Sequence, residues 1–68
     1  MTGAEFLRRA RRYAKRHGKA YHYDPRQGKG SHGILYVGDH RTTVKRGELA
    51  TGTFRNMLKQ LDIPKEDF

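Results

Sequence analysis

Two helical stripes of apolar residues bracket a strand-forming middle, and this pairing limits the fold more than any other feature of the chain. Phe6, Leu7, Ala10, Tyr13 and Ala14 recur at the spacing of one helix face. Phe54, Met57, Leu58 and Leu61 fall at i, i+3, i+4 and i+7. Between them Ile34-Leu35-Tyr36-Val37 is the run with the highest strand propensity. The chain has 68 residues, and a domain near that size buries only about 60% of the surface its unfolded chain exposes. A single domain over residues 1–68 is therefore expected, with one thin core. A dinucleotide fold or a deep enclosed pocket has no room.

Local signals set the element order. A first helix is predicted over residues 3–17, started by Thr2 and Glu5 at capping-box spacing and stopped by Gly18. Strands are predicted over 20–24, 31–37 and 41–45. Residues 25–30 and 38–40 form turns, because Pro and Gly interrupt regular structure there. The segment 46–50 reads as a loop with room for a helical turn. A second helix is predicted over 52–61, with Thr51 or Thr53 as the N-cap and Ile63-Pro64 as the stop. Short loops favour an antiparallel meander. Two amphipathic helices and one small sheet hide their apolar faces most simply with both helices on one face of the sheet. The expected class is α+β, in the α-β-β-β-α order of a double-stranded-RNA-binding domain. The other sheet face stays open to solvent or a partner.

Charge narrows the partners. Lys and Arg number 15 against 7 Asp and Glu, a net charge of +8. Arg8-Arg9, Arg11-Arg12 and Lys15-Arg16 form one cluster; Arg26, Lys29, Arg41, Lys45 and Arg46 form another. A small domain with such a field attracts polyanions, nucleic acids above all. The absence of cysteine removes disulfides, thiolate nucleophiles and Cys-rich zinc sites. Met1 to Glu5 carry no apolar run of signal-peptide length, and no later stretch is long enough to span a bilayer. A soluble, cytoplasmic protein without a membrane partner is expected.

The chemistry available is sparse. The carboxylates are scattered over helix ends, turns and the C-terminal segment, and no pair has the spacing of a shared site. No oxygen-ligand cluster for a two-metal nuclease and no zinc motif is legible, so neither metal nor cofactor is expected. Histidine remains as the acid–base group, because the imidazole titrates closest to neutral pH. RNA can be cut without metal when a base takes the 2′-hydroxyl proton, that oxygen attacks the adjacent phosphorus and a cation stabilises the phosphorane charge. His32 follows Gly28-Lys29-Gly30-Ser31, where glycines admit a phosphate and Lys29 is placed to bind it. The same glycines are also what a hairpin turn requires. His22 stands between Tyr21 and Tyr23, three rings able to stack on bases or simply to form a strand. His17 reads as a helix-terminal residue and His40 as a turn residue. Strand parity puts His32, Ile34 and Tyr36 on one face and Gly33, Leu35 and Val37 on the other. The second set makes the better core, which leaves His32 on the open face.

Taken in order, these motifs resemble the HicA family of toxins. Gly30-Ser31-His32 before an apolar strand is similar to the family's Gly-Ser-His signature. Thr42-Thr43-Val44 resembles its third strand, and Gly52-Thr53-Phe54-Arg55-Asn56-Met57-Leu58-Lys59-Gln60-Leu61 its closing helix. The resemblance covers nearly the whole chain. It implies a double-stranded-RNA-binding-like fold, a translation-blocking endoribonuclease acting on mRNA, His32 as the essential catalytic residue and a HicB-like antitoxin that masks it. Arg26, Lys29, Gly30, Ser31, Lys45 and Arg46 are the expected RNA-binding residues around His32. Two positions depart from the pattern. Gly33 stands where many members have a second His or a bulkier residue, and a looser strand start is expected there. Lys45 replaces a common Pro and adds a cation near the RNA path. The general acid is unassigned. Two other readings stand beside this one: a non-catalytic double-stranded-RNA-binding module, and a protein-interaction domain whose charge serves solubility.

Overall fold

The computed structural model describes residues 1–26 and 32–68. It is an α+β domain: α1 (Gly3–Arg16), β1 (Tyr21–Asp24), β2 (His32–Val37), β3 (His40–Lys45) and α2 (Thr51–Leu61), followed by a 3-10 turn at Lys65–Asp67. The strands form one antiparallel sheet in the order β1-β2-β3. The expected turn over 25–30 and the strand residue Ser31 fall partly or wholly outside the described residues; Pro25 and Arg26 are in a turn.

The two apolar stripes meet over the sheet. Phe6, Ala10, Tyr13 and Ala14 of α1 and Met57, Leu58 and Leu61 of α2 join Leu35, Val37 and Val44 in one buried cluster. Helix α1 lies against β1 and β2, and α2 against β3. Thr42 is the one buried polar side chain among the described residues, and its hydroxyl donates to Gln60 Oε1 on α2. Among the described residues no helix is long and apolar enough to cross a membrane.

Helix ends differ in how they are made. At α1, the Glu5 N–H donates to Thr2 Oγ1 at 3.2 Å, while the Glu5 carboxylate accepts from the Thr2 hydroxyl. Gly18 follows α1 with φ 63°. At α2 the N-cap is Ala50, not Thr51 or Thr53, and no side chain caps it. Both threonines lie inside the helix, so their hydroxyls are past the position that reaches the first free N–H groups. The helix stops at Leu61, before Ile63-Pro64 can act. Asp62 turns left-handed (φ 56°, ψ 44°), and the N–H groups of Asp62 and Ile63 close onto Lys59 and Leu58 carbonyls at 3.1 and 2.9 Å. That is the Schellman arrangement.

The segment 46–50 contains no helical turn. It runs beside the N-terminus, with Thr2 bridged to Glu48, Gly3 N–H donating to Gly47 O and Leu49 N–H to Met1 O, both at 2.8 Å. The C-terminal residues fold back as well. Phe68 packs on Phe6 and Phe54, with ring centroids at 4.8 and 5.8 Å.

Candidate functional site

Antiparallel register decides which side chains share the open face. His32 pairs with Lys45, Ile34 with Thr43 and Asp24, and Tyr36 with Arg41 and His22. Directly paired residues point to the same side of a sheet. The alternating burial of β2 confirms which side is which: Gly33, Leu35 and Val37 are buried, while His32 is exposed and Ile34 and Tyr36 are half-buried. The open face therefore carries His22 and Asp24 from β1, His32, Ile34 and Tyr36 from β2, and Arg41, Thr43 and Lys45 from β3.

At one end of this sheet the chain gathers cations around His32. The end of β1, the start of β2 and the end of β3 coincide there, because neighbouring strands are antiparallel. Lys45 lies directly across from His32, and the exposed Arg46 follows it. Arg26 sits two residues beyond β1, its N–H held by Asp24 Oδ1 at 2.9 Å. Helix α1 begins at the same end. A side chain on Gly3 would collide with the Lys45 carbonyl and lie 3.4 Å from Arg46 Cα, so glycine lets the helix start close against the cationic corner. Of the residues expected around the RNA, Arg26, His32, Lys45 and Arg46 thus share one end. Lys29, Gly30 and Ser31 lie outside the described residues.

Gly33 does not loosen the start of β2. It is buried, and an added Cβ there would come within 2.7 and 2.8 Å of Tyr23 Cζ and Cε1. The Tyr23 ring occupies the volume that a larger residue at 33 would take, so the strand start is packed.

The run Tyr21-His22-Tyr23 is not one stacking surface. Period-two alternation turns both tyrosines towards the helices, and only His22 faces out. The Tyr21 hydroxyl donates to Leu7 O at 3.2 Å. Burial holds its phenol above the ordinary value, with Arg11 opposing the shift. His22 stacks on Tyr36 instead, with ring centroids 5.8 Å apart and planes inclined by 30°. Sequence reading missed that partnership because it joins two strands; the parity of Tyr36 was its only local signal. His17 caps α1, with its ring 4.2 Å from Tyr13. His40 is the first residue of β3, paired with Val37, and not a turn residue.

Chemically, the corner offers an exposed imidazole at the same sheet end as three exposed cations, Lys45, Arg46 and Arg26. An imidazole able to accept a proton and cations able to hold a phosphate are the equipment of metal-independent phosphodiester cleavage. Among the described residues no three His, Asp or Glu side chains are grouped to hold a metal ion. No protein-family model, curated protein or solved structure matches the chain.

Proposed function

We propose that this chain is a HicA-type toxin with a double-stranded-RNA-binding-like fold: a metal-independent endoribonuclease that cleaves mRNA, acts in the cytoplasm and is held inactive by a HicB-like antitoxin. The observation that carries the reading is the exposed His32 facing Lys45 across the strand pair, with Arg46 and Arg26 at the same sheet end. The motif order Gly30-Ser31-His32, Thr42-Thr43-Val44 and Gly52 to Leu61 supports it. In this reading His32 accepts the 2′-hydroxyl proton as that oxygen bonds to phosphorus, and the P–O5′ bond breaks to leave a 2′,3′-cyclic phosphate and a 5′-hydroxyl protonated from solvent. Lys45, Arg46, Arg26 and Lys29 bind the phosphates and the developing negative charge. An antitoxin with an acidic docking surface would be drawn by the same cations and would cover substrate path and catalytic residue together.

The test is induced expression of the wild-type chain and of His32→Ala, with RNA cleavage assayed on the purified proteins. His32→Ala is expected to relieve growth arrest and to lower the cleavage rate by about 10²–10⁴-fold, the usual cost of losing a general base. Circular dichroism should be unchanged, because His32 is exposed. Cleavage by the variant at the wild-type rate would overturn the assignment. Wild-type cleavage is further expected to survive EDTA; activity lost in EDTA and restored by magnesium or manganese would move the chemistry to a metal. RNA binding without any cleavage by the wild type would favour the non-catalytic double-stranded-RNA-binding module.

A further inference from the structure

We infer that the groove between α1 and the edge strand β1 is a track for single-stranded RNA, and that His22 and Tyr36 form the platform for one unpaired base. The inference rests on the RNA-directed reading above and adds the strandedness of the substrate and its path.

Helix α1 carries more positive charge than its fold requires. Arg9 lies over the Phe68 ring at 5.6 Å, and Arg16 donates to the Asp67 carbonyl, so these two hold the C-terminal segment. Arg8, Arg11, Arg12 and Lys15 do neither. They fall at i, i+3, i+4 and i+7, a single stripe, and all four are exposed. Among the described residues none of the four has a carboxylate partner. Like charges at these spacings oppose helix formation, so the stripe is a cost to the fold that an anionic ligand would offset.

The stripe borders an open groove of about 640 Å³ lined by Arg11, Lys15, Lys19, Tyr21, His22 and Tyr23. One wall is cationic and the other is the free edge of β1, which is the outermost strand on that side. His22 belongs to both surfaces. It lines the groove and stacks on Tyr36 of the open face. A chain whose phosphates follow Arg11, Lys15 and Lys19 can lay a base over His22 and Tyr36 only if that base is unpaired, because a duplex keeps its base faces stacked. Arg41, paired with Tyr36, adds a guanidinium beside the platform. The path also leads to the chemistry: Tyr36 and His32 share a face of β2 four residues apart, about 13 Å at the rise of a strand.

The experiment measures binding without turnover. A His32→Ala protein is titrated into a fluorescent single-stranded RNA oligonucleotide and into the matching duplex across a series of salt concentrations. The comparison proteins carry, in that background, Arg11→Glu with Lys15→Glu, Arg11→Gln with Lys15→Gln as the variant gentler to the helix, or Tyr36→Ala. Each phosphate neutralised on a single strand contributes about −0.7 to the slope of log K against log salt. Removing two cations is therefore expected to flatten the slope by about 1.4. Tyr36→Ala is expected to weaken single-strand binding by about 5- to 150-fold, the range for loss of one base stack, and to leave duplex binding unchanged. If the His32→Ala parent binds and both charge variants keep its affinity and slope, the groove is not the track. If Tyr36→Ala weakens neither RNA, or weakens both equally, the platform is refuted. No RNA binding by the parent at low salt would remove the RNA reading itself, a result distinct from failure of the groove.

Discussion

Gly33 shows how one missing side chain can hold a site in place. It is buried beneath the start of β2, directly after His32, and the Tyr23 ring fills the space its Cβ would need. An alanine there forces either Tyr23 or the strand to move. Overpacking of this kind costs about 1–3 kcal/mol, so Gly33→Ala should lower the melting temperature by several degrees, at about 4–8 °C per kcal/mol for a domain of this size. A double-mutant cycle with Tyr23→Ala should show strong coupling, because the smaller residue at 23 removes the collision. Additive effects of the two changes, measured by urea unfolding, would mean that Tyr23 is not what constrains position 33. The lesson for the site is local: His32 is presented from a strand start that the neighbouring strand's ring holds packed.

At the scale of elements, the two helices are finished unequally. Helix α1 has Thr2 as its N-cap with a bond to the Glu5 N–H, and its first turn includes that acid. Helix α2 has Ala50 as its N-cap, no capping side chain and no acid in its first turn. Ala50 already holds the extended backbone of a cap (φ −66°, ψ 152°) and is exposed, so the position lacks only an acceptor. Ala50→Asp is expected to stabilise the domain by about 1 kcal/mol, through the cap and the helix dipole together. Thr53→Ala, at a position that sequence patterning favours as a cap, should change stability by less than about 0.5 kcal/mol, as exposed surface substitutions usually do. Thermal unfolding of the two variants separates these outcomes, and a larger loss in Thr53→Ala than gain in Ala50→Asp would return the cap to the threonine.

The whole molecule is closed by contacts between distant parts of the chain. Phe68 packs against Phe6 on α1 and Phe54 on α2, beneath Arg9. The N-terminal residues pair with the segment after β3. A domain this small has little core to spare. Phe68 is half-buried, so Phe68→Ala should cost less than a fully buried Phe, about 1–3 kcal/mol. It should also loosen α1 and α2 together, because the ring touches both. Hydrogen exchange is the measurement: increased exchange confined to residues 64–68, with both helices protected as before, would show that the segment is an accessory to the core and not part of it.

Much of this architecture is written locally. The 3.6-residue stripes at both ends, the alternation in β2 and the excess of Lys and Arg were legible in the residues themselves, and they led to α-β-β-β-α order and to His32 on the open face. Helical and strand periodicities need only neighbours within four residues, so a sequence carries them in plain form. The remaining features depend on pairs far apart in the chain. Strand register sets Lys45 opposite His32 and Tyr36 beside His22. Packing alone decides that Tyr23 fills the space over Gly33, that Phe68 closes the helices and that Arg11, Lys15 and Lys19 border one groove with His22. Such neighbours are chosen by burial of the core as a whole, and no local spacing encodes them. Local spacing is thus enough to set the elements, the face of the proposed catalytic histidine and the sign of the field. Which cations share its end of the sheet, and which rings pair across the strands, follows from strand register and core packing between residues far apart in the chain.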